Sequence, residues 1–362
     1  FGMQSSSFSI LLVKTSSVGD VIQTLPTLQY LRARFPEATI DWVVEESNAS
    51  LLLAVSLLSR VVIIDTKAWR SSLGSWKNFL SILKNLRSKK YDLLFDLQGN
   101  TKSACVTLLA RAKEKIGFDS THVQERINLL VTTKRIPVAK TLNAQMKYLQ
   151  LVQRYFSDDA VFFPQSISMK LTFLEKNRLE ALLANSSLKA PIRLMIAARS
   201  RWPNKEIQVE TLCSLLTHIS IQYSVCFVFV YHTKSEKQQA DYMVQRFKSQ
   251  SLSIGELSLP LWQNLMNGMD GVICVDSAAL HLCATTNTPS FSIFGPSLAD
   301  RYRPVGQQHF SVQGSCPYEM QFWSRCPLLR KCATGACLKN LDSYHLINAC
   351  SEWLATIKSR LQ

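Results

Sequence analysis

The chain has 362 residues, of which 47% are hydrophobic and 19% charged, with 12 glycines and 12 prolines. This composition excludes a disordered or collagen-like protein, and the length allows two domains with full cores. The net charge of +15 predicts an acidic partner such as a nucleic acid, an anionic membrane surface or a phosphorylated substrate. Apolar segments are too short to span a membrane, and no signal peptide is recognisable, so we expect a cytoplasmic protein.

Short apolar segments alternate with helical segments through the first half of the chain. Strands are predicted at Ile10–Val13, Thr39–Val44, Val61–Ile64 and Asp92–Asp96, and helices at Val21–Arg34 and Ser75–Lys90. This alternation predicts a parallel, right-handed, doubly wound sheet. The first turn, Lys14–Asp20, joins a buried strand to a helix N-terminus, where α/β folds place their chemistry. Asp20 could cap this helix or serve a site, and the turn alone favours neither.

Positive charge is concentrated early in the chain. Residues 60–115 contain twelve Lys or Arg against four Asp or Glu. Many of these cations lie on the predicted helix Ser75–Lys90, with Trp69 and Trp76 close by. A basic helix with aromatic neighbours suits an anionic lipid headgroup layer, and an ordinary solvated face is the alternative. Nucleic acid is not expected, because no recognition module is present.

The second half repeats the alternation after a connecting segment at residues 157–191. Strands are predicted at Arg193–Ala197, Val225–Tyr231, Gly271–Val275 and Ser290–Phe294. Helices are predicted at Phe173–Ala184, Gln208–Ile221, Ser235–Ser249, Ala278–Thr285 and Asp342–Leu361. Two Rossmann-like domains facing each other across a cleft are the natural architecture. We place the first domain at 1–165, the second at 166–341, and a terminal helix at 342–362 that could pack back on the first domain.

Several polar residues of the second half follow the ends of predicted strands. Ser277 follows Asp276 at the start of a helix, where it could cap the helix and where the backbone amides could bind an anion. Gly295 permits a close backbone approach after the next strand, and Lys205 follows an earlier one. These features together predict a diphosphate pocket. His281 is either a site residue or a core histidine. Neither a Gly-x-Gly-x-x-Gly turn nor a Walker sequence is present, so NAD and P-loop nucleotides lack support.

Ten cysteines without a secretory signal predict reduced thiols. Four of them cluster near the C-terminus, at Cys316, Cys326, Cys332 and Cys337, separated by nine, five and four residues. The cluster has no Cys-x-x-Cys pair and no histidine at ligand spacing, which makes zinc a weak hypothesis. A compact loop that packs small thiols is the alternative.

Five motifs in this order give the chain a family resemblance. They are residues 13–20 (VKTSSVGD), 41–46 (DWVVEE), 91–104 with Asp96-Leu97-Gln98-Gly99 and Lys102-Ser103-Ala104, 202–205 (WPNK), and 276–281 (DSAALH) with Phe294-Gly295-Pro296. With these motifs the chain resembles the lipopolysaccharide heptosyltransferases of glycosyltransferase family 9, and among them it is most similar to the heptosyltransferases I. The resemblance implies the GT-B fold.

The resemblance also implies a reaction and a set of roles. An ADP-activated heptose would bind the second domain, and Kdo-bearing lipid A, at the cytoplasmic face of the inner membrane, would bind the first. Transfer would invert the anomeric carbon and need neither a metal nor another cofactor. Asp20 would be the general base, and Lys205 would stabilise the departing ADP. Further donor-binding residues would be Ser200, Glu236, Asp276, Ser277, Ala278 and His281, and acceptor-binding residues would be Lys67, Arg70, Lys102 and Arg126.

Two departures from the family pattern concern the donor. Ala278 stands where family members usually have glycine, so a methyl group lies where a phosphate would approach the backbone. Ala198-Arg199-Ser200 replaces the usual residues before Lys205, and Arg199 or Arg201 could serve as substitute phosphate ligands. Two alternatives therefore stay open: the same catalysis with a different nucleotide sugar, or a non-catalytic descendant that binds a nucleotide or glycolipid.

Overall fold

The computed structural model describes residues 8–66 and 75–361. They divide into two compact units, with the boundary between Gln165 and Ser166. Each unit is built around one six-stranded sheet, and every strand pairing in both sheets is parallel. The predicted α/β class with two doubly wound, Rossmann-like sheets is confirmed.

The first sheet has the strand order β3-β2-β1-β4-β5-β6. Its strands are β1 Ser9–Val13, β2 Thr39–Glu45, β3 Arg60–Ile64, β4 Lys90–Asp96, β5 Arg111–Phe118 and β6 Lys134–Ile136. The helices of this unit are α1 Val18–Gln23, α2 Leu25–Arg34, α3 Glu46–Leu53, α4 Ser75–Arg87, α5 Thr101–Leu109 and α6 Ala144–Tyr155. All five residues of β1 are buried, because this central strand has neighbours on both sides and helices on both faces.

The predicted helix Val21–Arg34 is in fact two helices. Thr24 ends α1 and also precedes α2, and Pro26 lies in the first turn of α2. A proline has no backbone N–H to donate, so it is tolerated at a helix start but interrupts a helix that would continue through it. The break keeps α1 short, with Asp20 in its first turn.

The second sheet has the order β12-β11-β10-β7-β8-β9. Its strands are β7 Ile192–Ala197, β8 Val225–Tyr231, β9 Ser251–Gly255, β10 Gly271–Val275, β11 Ser290–Phe294 and β12 His309–Gln313. The helices are α7 Phe173–Leu183, α8 Val209–Gln222, α9 Lys234–Phe247, α10 Leu259–Asn267, α11 Ala278–Cys283, α12 Ala299–Tyr302, α13 Ala336–Lys339 and α14 Ser343–Leu361.

The terminal helix α14 belongs to the core of the second unit. Its residues Leu346, Trp353 and Ile357 are buried in the same apolar cluster as strand residues of the second sheet. The terminal segment that the sequence analysis sets apart at 342–362 is therefore part of the second unit. Burial of a tryptophan and several aliphatic side chains supplies the stabilisation that fixes the helix there.

Both sheets have a topological switch point at their centre. In the first sheet β1 lies between β2 and β4, and in the second β7 lies between β8 and β10. Connections leave such a point in opposite directions, which opens a crevice at the carboxyl ends of the two central strands. The loops after β1, β4, β7 and β10 therefore border these crevices. Among the described residues, no helix has the length and apolar character needed to cross a membrane.

Candidate active site

Asp20 lies at the switch point of the first sheet, in the first turn of α1. Its Oδ2 accepts hydrogen bonds from the Ser17 backbone N–H at 3.1 Å and from the Ser17 hydroxyl at 2.8 Å. These contacts form a capping box, so Asp20 does contribute to capping. The side chain is only half buried. A carboxylate with several acceptor positions can cap a helix and still face a ligand.

The loop that carries Asp20 is held by residues from two neighbouring strands. Oε1 of Gln98, which follows β4, accepts from the backbone N–H groups of Thr15 and Ser16, both at 3.2 Å. The Trp42 indole N–H on β2 donates to the Lys14 carbonyl at 2.9 Å. The first three sequence motifs therefore form one supporting structure beneath Asp20.

Lys14, the first residue of this loop, is fully buried. Its ammonium donates to the Tyr148 hydroxyl at 2.9 Å and to the Leu97 carbonyl at 3.3 Å. These partners lie on α6 and directly after β4. Lys14 therefore ties α6 to the loop, which is a positioning role that the sequence analysis did not assign.

Two of the four predicted acceptor-binding residues can be placed. Lys102, in the first turn of α5, has its ammonium 3.6 Å from Oε1 of Glu45. Arg126 is exposed at the start of a 3₁₀ turn. Lys67 and Arg70 lie outside the described residues. Lys102 therefore balances a carboxylate at the end of β2, and Arg126 is open to solvent.

A buried ionic cluster occupies the switch point of the second sheet. The Lys205 ammonium, in a 3₁₀ turn after β7, lies 2.5 Å from Oδ2 of Asp276, which follows β10. The Ser297 hydroxyl donates to the same oxygen, and Nε2 of His281 lies 3.8 Å from Oδ1. Burial would raise the pKa of Asp276, but Lys205 and His281 hold that pKa below its usual value. Three predicted residues are thus brought together, and Ser297 was missed.

Ser277 and Ala278 begin the short helix α11 beside this cluster. Ser277 occupies the N-cap position, but its hydroxyl makes no capping hydrogen bond, which corrects the expectation that it caps the helix. Its Oγ is buried and has no hydrogen-bond partner among the described residues. Such an unpaired hydroxyl carries a desolvation cost that a ligand could remove.

A second polar cluster lies along the loop that precedes Lys205. Ser200 donates its backbone N–H to Oε1 of Glu206 at 2.9 Å, and Arg199 lies 2.9 Å from the other oxygen. Arg199 also donates to the Ser235 hydroxyl at 3.2 Å. Burial raises the pKa of Glu206, against the effect of Arg199, and Glu236 raises it further. Arg199, which the sequence analysis proposed as a phosphate ligand, is thus already paired with a carboxylate.

Glu236 forms the capping box of α9. Its Oε2 accepts from the backbone N–H groups of His232 at 2.6 Å and Thr233 at 2.9 Å. Glu236, which the family resemblance assigns to the donor, lies in the first turn of α9, where its charge acts on Glu206.

The four clustered cysteines line one cavity together with Asn204 and Gly295. Burial raises the pKa of Cys337 to about 11, whereas the Gly335 backbone N–H, 3.4 Å from the Cys332 sulfur, lowers the pKa of Cys332. Asn204 donates to the Leu329 and Cys332 carbonyls, at 3.0 and 2.9 Å, so this loop braces the residue before Lys205. Over residues 8–66 and 75–361, no three His, Cys, Asp or Glu side chains are arranged to hold a metal ion.

The family model of glycosyltransferase family 9 (heptosyltransferase) matches residues 79–329. The chain belongs to this family. The predicted family and the enzyme class, a glycosyltransferase, are thereby confirmed.

Relatives within family 9 match over most of their length. Lipopolysaccharide heptosyltransferase 1 of Pseudomonas aeruginosa is 27% identical over 80% of this chain and 79% of its own. The protein of the same name from Escherichia coli O18:K1:H7 is 25% identical, over 80% of this chain and 86% of its own.

Solved structures of the family have the same fold. E. coli heptosyltransferase WaaC with ADP has a TM-score of 0.76 and 21% identity, covering 96% of this chain and all (100%) of its own. WaaC with ADP-2-deoxy-2-fluoro heptose has a TM-score of 0.70 and 23% identity, covering 85% of this chain and 94% of its own. The GT-B fold class predicted from the motifs is confirmed.

Proposed function

We propose that this protein is an inverting glycosyltransferase that transfers heptose from ADP-heptose to Kdo-bearing lipid A without a metal ion. Membership of family 9 supports the transfer of heptose, and the nucleotides bound to E. coli WaaC support ADP as the carrier. The observation that carries the proposal is the half-buried carboxylate of Asp20 at the carboxyl end of the central strand. A positioned base at this point is what the acceptor hydroxyl requires.

Asp20 would act on the acceptor hydroxyl. The hydroxyl oxygen forms a bond to the anomeric carbon of heptose while the bond from that carbon to the diphosphate oxygen breaks. The electron pair of the broken bond leaves with ADP, and the hydroxyl proton passes to Asp20. One displacement inverts the anomeric carbon. A positioned base accelerates such a step by roughly 100- to 10,000-fold, and its negative charge also favours a transition state with oxocarbenium character.

The second unit would hold the donor. ADP gains negative charge as it leaves, and fixed cations or N–H groups that face this charge lower the barrier. Lys205 would supply the cation, with Asp276 and Ser297 fixing its position. The unpaired Ser277 hydroxyl would donate to a phosphate oxygen. Ser200 and Glu236 would complete the site on the nucleoside side.

One observation favours a second candidate for the donor. The methyl group of Ala278 adjoins Ser277, where a phosphate would approach the backbone. This substitution favours a different nucleotide sugar with the same catalysis.

Kdo-bearing lipid A is proposed as the acceptor on the basis of charge. Lipid A carries phosphates and Kdo carries carboxylates, and the cationic side chains of Lys102 and Arg126 are suited to bind both groups.

Product analysis tests the function directly. Purified protein is incubated with ADP-heptose and Kdo-bearing lipid A, with and without EDTA, and the product is analysed by mass spectrometry and by NMR of the new anomeric centre. We expect the acceptor to gain one heptose with inverted configuration, unaffected by EDTA. Calorimetric titration with ADP, UDP and GDP compares the donors. Tighter binding of UDP or GDP than of ADP would contradict the ADP-heptose assignment, and nucleotide binding without transfer would identify a non-catalytic descendant.

Asp20→Asn tests the assigned base. Asparagine keeps an oxygen that can accept from Ser17 but cannot take the acceptor proton, so we expect kcat to fall by about 100-fold or more with ADP affinity unchanged. Glu175→Gln is the matched control, because Glu175 also closes a capping box, in α7. The control should lose some stability and retain its kcat. Normal turnover by Asp20→Asn would remove Asp20 from the mechanism.

A further inference from the structure

Lys147 on α6 is a partly buried cation whose role the motifs do not explain. Its ammonium lies 4.6 Å from the centre of the Phe118 ring and donates to the His122 carbonyl at 3.5 Å. Within the described part of the chain, its ammonium forms no salt bridge with a carboxylate. Burial lowers the pKa of Lys147, because an ammonium loses hydration there. Such a group is costly unless it has a counter-charge in some state of the protein.

The surroundings of Lys147 place it beside the proposed base. Helix α6 packs on α1, and the neighbouring residue Tyr148 is fixed by its hydrogen bond from Lys14. Asp20 and Asp119 are the two carboxylates that favour the charged form of Lys147, against the effect of burial. Lys147 therefore lies between the loop that carries Asp20 and the loop that follows β5.

His122 in that second loop gives an independent indication of a ligand. Its Nδ1 lies 3.0 Å from Oδ1 of Asp119, while its Nε2 is buried with no hydrogen-bond partner among the described residues. The His122 side chain is only 10% exposed. An unsatisfied ring nitrogen and an ammonium without a salt bridge thus occur together, and both could serve an anionic group.

We propose that Lys147 binds a carboxylate of the acceptor, next to the hydroxyl that Asp20 deprotonates. The inference rests on the proposed function, and it adds a binding residue to that site. An acceptor sugar that carries a carboxylate is repelled by the base when it approaches Asp20. A cation between the two carboxylates offsets this repulsion and fixes the sugar acid in one orientation. The unpaired Nε2 of His122 then adjoins the same carboxylate.

A double-mutant cycle between Lys147 and the acceptor carboxylate tests this contact. Steady-state kinetics are measured for the wild-type chain, Lys147→Met and Lys147→Arg, with the acceptor and with its methyl ester at the Kdo carboxylates. We expect Lys147→Met to raise the KM for the acceptor about 10- to 100-fold, with a smaller change in kcat, and Lys147→Arg to restore most of the loss. The ester should cause the same loss in the wild type and no additional loss in Lys147→Met.

Each outcome bears on one proposal only. Absence of heptose transfer by the wild type would reject the proposed function, whereas transfer with an unchanged KM in Lys147→Met would reject this inference. A Lys147→Met defect that persists in full with the ester would assign the residue to a phosphate or to a structural role. Lys140→Met, which removes an exposed lysine of the same unit, is the control. If Lys147→Met does not fold, the wild type with the ester still decides, because an unchanged KM for the ester overturns the contact.

Discussion

Gln98 connects two adjacent strand ends through a single oxygen. Its Oε1 accepts from the N–H groups of Thr15 and Ser16, and its side chain is buried. In Gln98→Met the shape is nearly kept, but both donors lose their acceptor. Each buried donor left unpaired costs about 1–3 kcal/mol, so we expect the loss of the acceptor for two donors to lower the free energy of unfolding by about 2–6 kcal/mol. We also expect a lower kcat, since the loop also positions Asp20.

Urea denaturation and steady-state kinetics measure these two effects separately. The exposed Gln124→Met in the same unit should change neither quantity. A stability loss with unaltered kcat would mean that the geometry of Asp20 does not depend on Gln98.

At the scale of single residues, the sequence predicts the site residues that directly follow a strand and misses site residues that lie elsewhere. Lys205 and Asp276 were expected at one crevice because the strands before them end at one edge of a sheet, and the structure shows that they form an ion pair. Ser297 has the same signal after β11. Lys147 has none, because it lies on a helix whose packing on α1 depends on tertiary structure.

His309 on the edge strand β12 shows how an element depends on the protonation of one side chain. Nδ1 of His309 lies 2.8 Å from the Ser290 hydroxyl on β11, and the residue is buried. Burial lowers the pKa of His309 to about 4. His309 therefore takes up a proton near pH 6.5 in the unfolded chain but only near pH 4 in the folded chain. The stability that neutral His309 contributes to the fold is complete above pH 6.5 and is lost as the pH falls toward 4.

The expected loss between pH 6.5 and pH 4 is about 3 kcal/mol, since one pKa unit corresponds to about 1.4 kcal/mol. Urea denaturation at a series of pH values measures it. His309→Gln should flatten the curve in this window, while His345→Gln, at an exposed position, should leave it unchanged. If the free energy of unfolding of His309→Gln fell with pH as steeply as that of the wild type, the acid-induced loss would not come from the burial of His309.

The strands that the sequence did not predict lie at or next to the edge of a sheet. Strand β5 has the sequence RAKEKIGF, whose charged residues conceal a strand that is buried only at its end. Strands β6, β9 and β12 are edge strands, where one side has no neighbouring strand and hydrophobic runs are not required. The fully buried central strands β1 and β10 were predicted because every residue in them must be apolar or small.

The same sheet topology occurs twice in this chain, with different charged groups at the two switch points. The first presents the carboxylate of Asp20, and the second holds the ion pair of Lys205 and Asp276. Alternation of strands and helices was sufficient to predict this duplication. The sequence could not show that Asp276 and Ser297 hold Lys205, because the three residues are 21 or more positions apart.

The net charge of +15 is most informative through its distribution. Lys84, Arg87 and Lys90 are exposed on or just after α4. A surface of one sign attracts an oppositely charged bilayer over roughly the Debye length, which is about 10 Å at 0.1 M salt. We therefore expect the protein to bind vesicles that contain acidic lipid and not to bind vesicles of neutral lipid. Salt at about 1 M should release the bound protein.

Two triple variants separate charge distribution from total charge. Replacing Lys84, Arg87 and Lys90 with glutamine should weaken vesicle binding about 10-fold or more, since each cation near an anionic surface contributes about 1 kcal/mol. Replacing Lys176, Lys189 and Lys358, which are exposed in the second unit, lowers the net charge by the same amount and should change binding little. Cosedimentation with vesicles measures both. Equal weakening by the two triples would show that total charge, and not the α4 surface, attracts the protein to the membrane.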